Sequence, residues 1–100
     1  MERKLQTEVI HWLKDQGAYV IKTKPGMGTP VGCPDLLALF GPRWMAIEVK
    51  AGPKAPFQPG QQYTISLLKN WCPYVYVTYP DNWPLIRDKL LTEFFQSAKG

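Results

Sequence analysis

The chain has 100 residues, 45% of them hydrophobic and 20% charged, with a formal net charge of +4 and a pI of about 9.2. That length makes one domain with a modest core, and no run is apolar and long enough to span a membrane. The charged start "MERKLQTEVIHWLKDQG" is not a secretory signal, and the positive balance suits an anionic partner such as nucleic acid as well as it suits a solvated basic surface.

Leu5, Val9, Trp12 and Leu13 recur at helical spacing and Gly17 stops the pattern, which predicts a first helix over 2–16. "AYVIKTK" (18–24) is rich in β-branched and aromatic residues and reads as a strand. "PGMGTPVGCP" (25–34) is a loop, and it lacks the GK[ST] ending of a phosphate-binding P-loop. "DLLALF" (35–40) is apolar on both faces, as a central strand should be, and the short "GPR" turn makes it a hairpin with "WMAIEVK" (44–50). A second Pro/Gly loop, 51–60, leads to a helix over 59–71, and "YVYVTY" (74–79) is a further strand. A last helix is expected over 85–97. Its Ile86, Leu90, Leu91, Phe94 and Phe95 cover more than one face of an α-helix, which implies an exposed apolar patch and a homodimer to cover it. The order α-β-β-β-α-β-α defines an α/β fold with one parallel strand pair in a mixed sheet.

Cys33 and Cys72 belong to no CxxC or zinc-type cluster and read as free thiols in a reducing cytoplasm. His11 lies off the apolar stripe and reads as a surface residue. Trp12, Trp44 and Trp71 fit core patterns, while Tyr63, Trp83 and the proline-rich loops are candidates for nucleic-acid contact. Lys22, Lys24, Arg43 and Lys54 surround the acidic segment in sequence order and suit either phosphate contact or solubility.

Three ionisable residues stand in the two apolar strands. Alternation puts Glu48 and Lys50 on one face, and hairpin pairing brings Asp35 near them. Two close carboxylates repel, and a divalent cation with oxygen preference removes the penalty. An adjacent lysine can stabilise charge on a phosphate. Equally, Lys50 can form an ion pair with Asp35 or Glu48 and serve only structure. Helical phasing separates the two glutamines of the second helix: Gln61 shares a face with Thr64, Ile65, Leu68 and Cys72, while Gln62 turns to solvent.

Pro34-Asp35 followed by Glu48-Val49-Lys50 resembles the PD-(D/E)XK nuclease motif. The wider context "GCPDLLALFG…IEVKAG", with a Gln opening the next helix, is similar to the VRR-NUC (virus-type replication-repair nuclease) branch of that superfamily, from the first helix to "YVYVTY". The resemblance implies a restriction-endonuclease-like core over 1–82, with 83–100 as an added and dimerising helix. It implies Asp35, Glu48 and the Val49 carbonyl as ligands of Mg²⁺ or Mn²⁺, Lys50 as the catalytic lysine, and Gln61 as a group that positions water or phosphate. Glu8 matches the family's acidic residue on the first helix and would assist the metal, directly or through water; the alternative is an exposed Glu beside Lys4. Gly60 departs from the charged residue the family favours before this Gln. The implied activity is metal-dependent, structure-selective DNA cleavage similar to that of Holliday-junction resolvases, and a viral or phage source fits. A non-selective nickase or flap nuclease, an inactive DNA-binding module of the same fold, and a small interaction protein with structural ion pairs are the alternatives.

Overall fold

The computed structural model describes residues 2–26 and 28–96. Helix α1 (Glu2–Asp15) buries Leu5, Val9 and Leu13. It ends where Gly17 takes φ 97° and the N–H groups of Gly17 and Ala18 return to the carbonyls of Lys14 and Leu13, the paired bonds of a Schellman cap. Three antiparallel strands follow: β1 (Tyr19–Lys22), β2 (Leu36–Phe40) and β3 (Arg43–Val49). Gly41 at φ 62° supplies the positive angle of the two-residue turn between β2 and β3, and Pro42 follows at the position that needs a negative one. Helix α2 (Gln61–Trp71) then crosses to β4 (Val75–Thr78), which pairs parallel to β3. The sheet order is β1-β2-β3-β4, so the mixed sheet and the expected element order are both present, with ends shifted by no more than two residues.

Alternation along β3 divides the core. Met45, Ile47 and Val49 face α1 and the C-terminal helical segment; Ala46 faces α2 and packs with Ile65, Cys72 and Val75. Tyr19, Ile21 and Leu39 lie on the α2 side by register, and they are 70%, 40% and 43% exposed. The β1–β2 half of that face is therefore left open to solvent.

The C-terminal segment differs from expectation in two ways. Helix α3 (Trp83–Lys89) begins two residues early, because Pro84 fits a first helical turn rather than a loop. It continues as a π-helix over Leu90–Gln96. The wider π turn brings residues four and five along back over the same face, so Leu90, Phe94 and Phe95 are all fully buried within one chain. Phe94 and Phe95 meet edge-on at 4.9 Å, and Phe95 also meets Phe40 and Trp12. The apolar patch expected on this helix shrinks to Leu85 and Leu91, which removes the motive for a dimer through it. Ser97, the expected last helical residue, lies outside the described residues.

Two tryptophans are also exchanged. Trp71 is 69% exposed, because it ends α2 beyond the apolar stripe. Trp83 is a buried core residue packed at right angles on Trp12, not a surface contact, and among the described residues its Nε1 finds no acceptor. Among the described residues no helix is long and apolar enough to cross a membrane.

If the π turn carries the core, Phe95→Ala should cost about 3–5 kcal/mol in urea unfolding, while Leu85→Ala, at a position 72% exposed, should change stability by no more than about 0.5 kcal/mol.

Candidate active site

The hairpin register pairs Leu36 with Ile47, so Asp35 stands opposite Glu48 one step beyond β2. Hydrogen-bonded pairs alternate along an antiparallel ladder from the Phe40–Arg43 turn, and the next such slot falls on Pro34 and Val49. Proline has no N–H to give the Val49 carbonyl. The Pro34 carbonyl, which the ladder would offer to the Val49 N–H, accepts the Thr23 hydroxyl; Asp35 Oδ2 accepts the Val49 N–H instead, at 3.0 Å, and the Asp35 N–H donates to Glu48 Oε1 at 3.0 Å. Two carboxylates are thus locked side by side by reciprocal bonds to backbone. Thr23 holds the Pro34–Asp35 peptide from the other side, donating its N–H to the Asp35 carbonyl at 2.8 Å and its hydroxyl to the Pro34 carbonyl at 2.7 Å.

Glu48 is buried, and burial raises its carboxyl above the ordinary range; the Asp35 charge adds to the rise, while Gln61 and Lys50 oppose it. Lys50 Nζ lies 3.3 Å from Glu48 Oε2, donates to Gln61 Oε1 at 3.1 Å and to the Pro56 carbonyl at 2.9 Å, and sits 4.7 Å from the centre of the Phe57 ring. Three acceptors match the three N–H bonds of an ammonium group. Gln61 Oε1 also accepts the Gln58 N–H at 2.8 Å, so one buried amide ties the lysine to the 51–60 loop. Gln62 is exposed, as helical phasing predicts.

Asp35, Glu48, Lys50 and Gln61 line one cavity of about 860 Å³ between the loops 25–34 and 51–60. Gly32 sets how closely those loops approach. It holds φ 83°, and a Cβ there would stand 2.5 Å from the Gly60 carbonyl oxygen and 2.7 Å from Thr64 Oγ1. Cys33 shares the cavity; burial is the main cause that pushes its thiol up, with Glu48 and Asp35 adding, so it stays protonated. Both cysteines are free.

The structure therefore brings Asp35, Glu48, Val49, Lys50 and Gln61 together. Glu8 is not among them: it is exposed on α1, whose core residues pack on the opposite face of the sheet. Arg43 lies at the turn end of the hairpin, where it donates to the Glu93 carbonyl and the Tyr74 hydroxyl, because antiparallel pairing carries it away from Glu48. Thr23, Phe57 and the Pro56 carbonyl are parts of the site that sequence reasoning missed. Only Thr23, at the end of a strand that pairs with "DLLALF", left a signal.

The described residues contain no group of three or more His, Cys, Asp or Glu able to share a metal ion. A cation here would take Asp35, Glu48 and the Val49 carbonyl from the protein. An all-oxygen set of this kind suits Mg²⁺ or Mn²⁺, with water or phosphate completing the shell. Carboxylate oxygens carry spare lone pairs beyond one hydrogen bond each, and the Val49 carbonyl loses its ladder donor to Pro34, so the donor set fits. Comparisons of the chain with protein-family models, with curated proteins and with solved structures find no match.

The raised Glu48 carboxyl has a stability consequence. The fold favours its protonated form, so the metal-free chain loses stability as pH rises from the ordinary glutamate value of about 4.3 through the raised one. Glu48→Gln should be the more stable chain above that window and equal to the native chain below it, in urea melts run across the acidic range.

Proposed function

We propose that this chain is a divalent-metal-dependent nuclease that hydrolyses phosphodiester bonds in DNA on a restriction-endonuclease-like core. The observation that carries the reading is the locked pair of carboxylates, Asp35 and Glu48, lining a cavity with Lys50 and Gln61 beside them. A carboxylate held where its charge is disfavoured is a common mark of a functional site, and a cation relieves the repulsion. The family resemblance of "GCPD" and "IEVK" supports the same residues.

Asp35, Glu48 and the Val49 carbonyl would hold Mg²⁺ or Mn²⁺, which when bound supplies positive charge to the scissile phosphate and lowers the pKa of a water on it. The remaining work falls to the protein's own groups. The Lys50 ammonium stands beside Glu48, where it offsets negative charge developing on a phosphate oxygen. Gln61 fixes Lys50 through Oε1 and, by its effect on Glu48, favours the ionised acid that a cation needs. Glu8 can join only through water or substrate, given its exposed place on α1. The substrate in this reading is branched or otherwise structured DNA, with a non-selective nickase as the alternative.

A second reading rests on a specific observation: the Lys50 ammonium is saturated by Glu48, Gln61 and Pro56, as a structural ion pair would be. The chain would then be a protein that does not cut, either a small interaction protein with structural ion pairs or a DNA-binding module of the same fold.

Supercoiled plasmid separates the two. The nuclease reading expects nicking with Mg²⁺ or Mn²⁺ and none with EDTA. Asp35→Asn, whose amide oxygen can still accept the Val49 N–H, should fold normally and cut at least about a hundredfold more slowly. Gln61→Ala should impair turnover more than Gln62→Ala. A wild-type chain that binds plasmid but never cuts it with either metal leaves the binding module standing. Competition between a four-way junction and a linear duplex of equal length then decides selectivity.

A further inference from the structure

The 51–60 loop has two sides. One walls the cavity of Asp35 and Glu48; the other faces an open depression of about 640 Å³ lined by Lys54, Phe57, Gln62 and Tyr63, with Pro56 and Pro59 common to both. Phe57 stands between them: it lines the depression and carries the Lys50 ammonium over its ring. Tyr63 is 73% exposed although it sits in the first turn of a helix whose inward positions are taken by Gln61 and Ile65. It serves neither the core nor a hydrogen bond seen among the described residues.

The geometry points to a stacking subsite for an unpaired nucleobase of the same DNA strand whose phosphate lies at the acidic pair. This inference rests on the nuclease reading and names the form of its substrate. An exposed ring beside proline surfaces offers a π-face, which an unstacked base can cover and a base held in a duplex cannot. Gln62 offers an amide able to donate to and accept from a base edge whatever its identity. Lys54 supplies the cation that a backbone phosphate needs as the strand crosses the Pro56–Pro59 ridge. Cutting next to an unpaired base is what a flap, a gap or the open centre of a branched junction presents.

The test is fluorescence anisotropy of the wild-type chain in EDTA, with a short labelled oligothymidylate and, in parallel, a labelled hairpin duplex. Tyr63→Ala should weaken oligothymidylate binding about tenfold and change duplex binding by less than about twofold, and Tyr63→Phe should restore it. Tyr19→Ala, which removes another exposed tyrosine at 70% exposure on β1, should change neither. Lys54→Ala should lower the salt dependence of oligothymidylate binding by about one ion. An unchanged oligothymidylate affinity in Tyr63→Ala, an equal loss on both probes, or no binding of oligothymidylate by the wild-type chain overturns the subsite. Plasmid cleavage by the same proteins keeps the two proposals apart. Metal-dependent cutting without any role for Tyr63 in single-strand binding sinks the subsite alone, and Tyr63-dependent binding without cutting sinks the nuclease alone.

Discussion

Two backbone N–H groups hold two carboxylates against each other at the open end of a hairpin. The Asp35 N–H donates to Glu48 and the Val49 N–H donates to Asp35, each at 3.0 Å. Like charges this close do not assemble unless something fixes them, and here the fixing group is the peptide chain itself. Pro34 makes the arrangement possible. It cannot donate to the Val49 carbonyl and its own carbonyl takes the Thr23 hydroxyl, so the Asp35 carboxylate receives the Val49 N–H where the fourth hydrogen-bonded pair of the hairpin would form. Thr23, just past the end of β1, secures the same segment from behind.

The surroundings follow from that pair. Burial under two glycine- and proline-rich loops raises Glu48, and the loops keep their spacing because Gly32 passes the Gly60 carbonyl where no side chain fits. Lys50 compensates Glu48 and in doing so fastens the 51–60 loop through the Pro56 carbonyl. A single lysine therefore links the charge balance of the site to the shape of its wall. The opposite face of the sheet does the stabilising: the aromatic cluster of Trp12, Phe40, Phe94 and Phe95, with Trp83, lies there away from the charges. Stability and site chemistry are thus divided between the two faces of one four-stranded sheet.

Much of this was legible in the sequence wherever a short-range period governs position. The alternation of "MAIEVK" separates Glu48 and Lys50 from Ile47 and Val49, and one turn of helix suffices to tell Gln61 from Gln62. The hairpin turn of Gly41 and Pro42 carries its own signature. What was not legible depends on departures from those periods or on loops. A π-helix places Phe94 and Phe95 on one face where α geometry separates them, so the last helix looked half exposed. Proline at the start of a helix looks like proline in a loop, which hid Trp83 in the core. The Pro56 carbonyl that meets Lys50 belongs to a loop with no period at all, and only three-dimensional closure puts it there.

The central claim is that Asp35 and Glu48 are placed for a cation. Calorimetric titration of Mn²⁺ into the metal-free chain tests it without reference to turnover. A single saturable isotherm is expected, lost in both Asp35→Asn and Glu48→Gln and kept in Glu8→Gln. An isotherm unchanged by Asp35→Asn, or no saturable binding by the native chain at millimolar Mn²⁺, would contradict the account.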